Sequence, residues 1–266
     1  MFWGNIDIEY STLTLENYID FEYNNSINEQ EYIDVLNESI DIDEGFGLKL
    51  RPIYIILTYT DTRFDRIANK LVKGQEFWHA SMSFGPSLKL CYSFSYWKRA
   101  HTNNLKGGLS FESIDLYKED HPDGRMQVGA IFLNEKKYKK IKEGIMYFLT
   151  NKEKTKYDFI GLLYSLLGKP TANGLKLKLM CVTFVDTLLK YANINLNDKQ
   201  TNLVKADDLK HTNDIYYFKV FEGLIKDYNP IEVAKLSEKL GNKLNNDYFR
   251  HVEDKPIEDI TRKRRI

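Results

Sequence analysis

Apolar residues are sparse and irregular over the first fifty positions. Ile6 and Ile8 alternate briefly, a short helix is predicted near Glu29–Glu38, and Gly45 and Gly47 break the pattern before Arg51-Pro52. From Ile53 the chain changes character. The run Ile53–Tyr59 (IYIILTY) is dense in β-branched and aromatic residues and predicts a buried strand. Asp61 or Thr62 can cap a helix through Lys73, with Phe64, Ile67, Ala68 and Leu71 on one face and Gly74 ending it. His79–Phe84 and Leu88–Tyr96 predict two strands around the turn Gly85-Pro86-Ser87; in the second, Leu90, Tyr92, Phe94 and Tyr96 alternate with Cys91, Ser93 and Ser95. His101–Gly108 is loop-like, Leu109–Tyr117 predicts a further strand, and His121–Gly124 (HPDG) predicts a turn. A strand over Met126–Leu133 is followed by Asn134, which caps an amphipathic helix to about Leu149. Helices are predicted over roughly Tyr157–Leu167, stopped by Gly168-Lys169-Pro170, and over Cys181–Tyr191. A short strand near Tyr216–Val220 and a helix near Ile231–Leu240 complete the pattern. Strands clustered centrally with helices on either side predict an α+β fold, and 266 residues suffice for one substantial core with appended segments.

Charge divides the chain along the same line. Residues 1–50 hold twelve Asp or Glu and one basic residue, Lys49, a net −11; the chain as a whole is neutral, so the other 216 residues carry +11. Four of those charges lie in Thr261–Arg265 (TRKRR). An acidic arm of this kind can dock on a basic body, its own or a neighbour's, and both ends can equally be solvated tails. The arm at 1–50 and the tail at 221–266 are expected to meet protein partners around a folded domain at 51–220. No basic patch interleaved with aromatic residues occurs, so nucleic acid is not an expected partner. No run of about eighteen apolar residues predicts a membrane span, and MFWGNIDIEY lacks the pattern of a secretory leader. Two distant cysteines make no disulfide framework, so a reduced compartment, the cytoplasm where the chain is made, is expected.

Few residues carry reactive chemistry. A thiol in the first turn of a helix is favoured as thiolate by the macrodipole and the exposed N–H groups, and Cys181 stands where the apolar helical pattern begins. His79 begins a strand, which can hold an imidazole rigidly across a cleft from such a thiol. Each also has an ordinary structural explanation. Cys181 shares a helical face with Val185, Leu188 and Leu189, the setting of an inert buried thiol, and a single strand-edge histidine is commonly structural. Cys91, between serines, reads as structural. Lys176 and Lys178 precede Cys181 and can either support a thiolate or face solvent. His101, His121, His211 and His251 show no zinc-site spacing, and no metal or other cofactor is expected.

Four segments, in order, resemble a known family. IYIILTYTDT at Ile53–Thr62 is similar to an opening strand with a Thr-rich turn, and FWHASMS at Phe77–Ser83 to an aromatic residue preceding an active-site histidine. Cys91–Arg99 followed by Gly107-Gly108 is similar to a Tyr–Ser–Phe strand and glycine pair. Tyr157–Gly161 with Met180–Val185 (MCVTFV) resembles the nucleophile helix and the helix before it, and Val204–Leu209 a closing segment. Together these resemble the permuted papain-like cysteine hydrolases (NlpC-type, YiiX-like), in which the histidine precedes the cysteine. The resemblance implies an antiparallel sheet packed on helices, with Cys181 as nucleophile at a helix N-terminus and His79 as its base. The third polar residue departs from the family pattern, because Cys91, Tyr92 and Ser93 stand where an acid, amide or imidazole is usual. Glu112 is the nearest carboxylate in a matching segment. The implied substrates are peptide or peptidoglycan amides, with lipid esters and amides as alternatives. The implied setting is a Gram-positive bacterium or a phage virion, such as a tail or baseplate. A structural assembly protein with a degenerate papain-like domain is the competing expectation.

Overall fold

The computed structural model describes residues 50–61, 65–66, 69–70, 74–96, 107–151, 156–158, 178–210 and 217–253. The expected arm and its short helix, the basic end of the tail, and most of the Tyr157–Leu167 helix lie outside these residues. Six strands form one antiparallel sheet: β1 (Arg51–Tyr59), β2 (His79–Ser83), β3 (Cys91–Tyr96), β4 (Gly107–Glu112), β5 (Arg125–Leu133) and β8 (Tyr217–Leu224), in the order β4-β3-β2-β1-β5-β8. The two-residue strands β6 (Lys156–Tyr157) and β7 (Lys178–Leu179) pair in parallel. The described helices include α1 (Ile114–Asp120), α2 (Glu135–Thr150), α3 (Cys181–Tyr191) and α4 (Pro230–Glu253). Residues 65–66 and 69–70 are also helical. The fold class is therefore α+β.

The unbroken apolar run of β1 follows from its central place in the sheet, where both faces are covered. Ile53, Ile55 and Leu57 point to one face, into a core with Tyr138, Ile141, Ile145 and Phe148 of α2 and Phe184, Val185, Leu188 and Leu189 of α3. Tyr54 and Ile56 point to the other, into a core closed by Ile114 of α1, Ile225, Tyr228 and Val233. The result is helices, sheet, helices. Full burial of each of these large side chains contributes about 1.5–3 kcal/mol, so both cores stabilise the sheet.

Several sequence expectations change in detail. Leu109–Tyr117 is not one strand: β4 ends at Glu112, and Ser113 caps α1 by accepting the N–H of Leu116 at 3.2 Å. Asp115 in the first turn favours the helix further. The strand expected over Leu88–Tyr96 starts only at Cys91, because Leu88 adopts φ 53° and residues 85–90 form turns. Tyr157 lies in β6 and not in a helix. Asp61 has φ 52°, outside the extended range of a helix cap, and accepts the Tyr59 hydroxyl at 2.9 Å. The last helix continues past Leu240 to Glu253, and Gly241 is no stop: a Cβ there would lie 3.1 Å from the Phe132 ring, so the glycine permits close helix–sheet contact. Likewise β8 runs through Val220 to Leu224. No helix among the described residues is long and apolar enough to cross a membrane.

Candidate functional site

His79 is the first residue of β2, opposite Thr58 of β1, at the end of the sheet. Alternation along β2 sends Ala80 and Met82 to the α2–α3 face and His79, Ser81 and Ser83 to the opposite one. The approach to His79 is held from several sides. Trp78 donates its backbone N–H to Thr58 O (3.1 Å) and its indole N–H to Asn69 Oδ1 (2.6 Å). The backbone N–H groups of Glu76 and Phe77 both donate to the Asp207 carboxylate, at 2.7 and 3.1 Å. Lys210 pairs with Asp207 at 3.3 Å and with Glu76, and its ammonium lies 4.7 Å from the Phe77 ring centroid. Asp207 belongs to the 3₁₀ turn Ala206–Leu209, so the far end of the chain fixes the segment that leads into the histidine.

Cys181 is the first residue of α3, following Met180 in extended conformation. The Met180 N–H donates to Thr183 Oγ1 at 2.7 Å, which fixes the entry into the helix. The Cys181 sulfur lies at the positive end of the helix dipole and 3.9 Å from Trp78 O, within the α2–α3 core and 5% exposed. The Trp78 carbonyl it faces belongs to the residue before His79, so the thiol and the imidazole are neighbours that interact electrostatically.

Glu112 ends β4, and its Oε2 is 2.9 Å from His79 Nε2. The side chains are 24% and 16% exposed, so water screens this pair only weakly. The same Oε2 accepts the Tyr117 hydroxyl at 2.8 Å. Ser93 Oγ donates to Ala80 O at 3.0 Å and lies 3.3 Å from His79 Nε2. With its one proton used on Ala80, Ser93 offers the imidazole a lone pair. In the neutral imidazole the network therefore assigns the proton to Nε2, facing Glu112.

Burial disfavours the imidazolium, but Glu112 and then Cys181 outweigh it, and the His79 pKa is raised well above 6.5. Cys91 shows the opposite environment. It is 1% exposed, stands opposite Glu112 in the β3–β4 ladder, and its thiol points to Leu88 O at 3.5 Å. Burial and the Glu112 charge push its pKa well above 9.0, which keeps it an inert thiol.

The structure thus brings Cys181, His79 and Glu112 together. Lys178 is in β7, His121 follows α1 and His251 lies in α4, whereas Lys176, His101 and His211 are outside the described residues. Among the described residues no group of three or more His, Cys, Asp or Glu side chains is arranged to hold a metal ion. Three contributors escape a sequence reading. Ser93 stands in the expected strand without the charge that would single it out. Tyr117 is obscured by the missed Ser113 cap, and Asp207 acts on a segment 130 residues away. Compared with known proteins, the chain matches no family model, no curated protein and no solved structure.

Proposed function

We propose that this chain is a cysteine hydrolase with a permuted papain-like domain, cleaving amide bonds through Cys181, His79 and Glu112. The observation that carries the reading is the His79 imidazole 2.9 Å from Glu112 Oε2, with the Cys181 thiol at the α3 N-terminus 3.9 Å from the carbonyl oxygen of the adjoining Trp78. His79 takes the thiol proton, and the sulfur attacks the substrate carbonyl carbon. The oxyanion that forms is stabilised by N–H groups at the start of α3. As the C–N bond breaks, His79 returns its proton to the leaving amine. A water molecule then gives a proton to His79 and attacks the thioester, releasing the acid and restoring the thiol. Glu112 stabilises the imidazolium and fixes its ring.

Cell-wall peptide amides are the substrate class we favour, by the resemblance of the four segments, with the acidic 1–50 segment joining the chain to a larger assembly such as a phage tail or baseplate. A second reading, an assembly protein with a retired hydrolase domain, is favoured by the 5% exposure of Cys181, which a substrate must still reach. Iodoacetamide labelling separates the two. We expect wild type to label at Cys181 near about pH 6–7, where an ordinary thiol is sluggish. His79→Ala should slow labelling by about ten-fold or more, and Glu112→Gln should slow it less. An unreactive Cys181 in folded protein rejects the hydrolase reading.

A further inference from the structure

Glu112 Oε2 accepts from two directions at once, from His79 Nε2 at 2.9 Å and from the Tyr117 hydroxyl at 2.8 Å. A carboxylate bonded by one donor can rotate about its terminal torsion. Two donors converging on one oxygen restrict that rotation. The phenol is itself well placed for this. Tyr117 lies one turn into α1, whose start is fixed by the Ser113 cap and by the Ile114 N–H donating to Leu88 O at 2.8 Å. The next residue, Lys118, donates to Tyr228 O at 2.9 Å, and the His121 N–H closes the helix on Tyr117 O. Burial and the adjacent Glu112 charge raise the Tyr117 pKa well above 10, so the hydroxyl is a neutral donor at neutral pH. The ring packs against the second core, and that packing alone needs no hydroxyl.

We propose that Tyr117 is a positioning residue that acts through Glu112 to hold its Oε2 on the His79 imidazole. Its effect on Cys181 rests on the hydrolase reading, whereas its effect on His79 does not. Without the hydroxyl, the carboxylate turns toward water and its hold on the imidazolium weakens. The phenol also draws some charge from the carboxylate, but a neutral donor withdraws only a fraction of it, so loss of orientation decides the sign.

The test is an NMR titration of the histidine resonances in the full chain, with His79 identified by the signal missing in His79→Gln. Wild type, Tyr117→Phe, Glu112→Gln and the double variant are compared, and the same four proteins are labelled with iodoacetamide. Tyr117→Phe keeps the packed ring and should lower the His79 midpoint by about half a unit or more. It should also slow Cys181 labelling roughly five-fold. In the Glu112→Gln background the same substitution should change neither. A midpoint that stays or rises in Tyr117→Phe, or that falls equally without Glu112, overturns the proposal. A coupled His79 shift beside an inert Cys181 supports the positioning role and rejects the hydrolase. A reactive, His79-dependent Cys181 that ignores Tyr117→Phe rejects the positioning role alone.

Discussion

The half-buried imidazole of His79 would be neutral were its surroundings apolar. It is instead biased toward the charged form by a carboxylate at 2.9 Å and a sulfur at a helix N-terminus. That bias is a stability term with a definite sign. A histidine whose folded pKa is raised stabilises the fold fully below its unfolded value of about 6.5. This stabilisation disappears as pH climbs through the folded pKa. The stability difference between wild type and His79→Gln should therefore be largest in mild acid and shrink at alkaline pH, as denaturant titrations across pH would measure. A difference that grows with pH contradicts the charged pair. The two cysteines make the complementary point. Cys181 begins a helix near an imidazole, and Cys91 is closed inside the second core beside a carboxylate, so two residues of one type stand in opposite environments.

At the scale of elements, the turn from β4 into α1 decides whether Glu112 and Tyr117 can meet. Ser113 makes that turn by capping α1, so Ser113→Ala should lower stability by about 1 kcal/mol. It should also slow Cys181 labelling while the protein remains folded, which a thermal melt and the labelling rate measure together. Here the sequence pattern misleads, and the reason is physical. Leu109 and Phe111 alternate as a strand, and the alternation carried the reading through Ser113-Ile114-Asp115, where a cap and an acidic first turn favour a helix. The strands β1, β2 and β5 were legible because their apolar runs are long and bounded by turn residues. Helices α2 and α3 were legible from Asn134 and from the Cys181–Tyr191 face. Of the candidate site, Cys181, His79 and Glu112 stand out in the sequence only through the resemblance of the segments that hold them. The Asp207 clamp does not stand out, because a carboxylate that accepts two backbone N–H groups of a distant segment has no local pattern.

Over the whole molecule, the second layer supports the site as well as the core. The Tyr228 hydroxyl donates to Pro86 O at 2.5 Å and its carbonyl accepts from Lys118, so one residue ties the turn before β3 to the helix that carries Tyr117. The Asn245 side chain accepts the N–H of Leu50 at 3.0 Å, joining α4 to the entry of β1. A chain ending at Leu224 would uncover Met126, Val128, Ala130 and Phe132, which are each at most 2% exposed. We expect such a truncation to lose near-ultraviolet circular dichroism and His79-dependent labelling together. Retention of both would mean that the site needs only the first layer.

The meeting of Cys181, His79 and Glu112 at the rim between the sheet's two faces has a consequence for how the cluster assembles. The thiol arrives with the helices of one face, and the oriented carboxylate with the helix of the other. A chain that has packed only one of these layers holds the thiol without the carboxylate-bonded imidazole. On the proposed hydrolase reading, Cys181 gains its full reactivity only when both layers are packed.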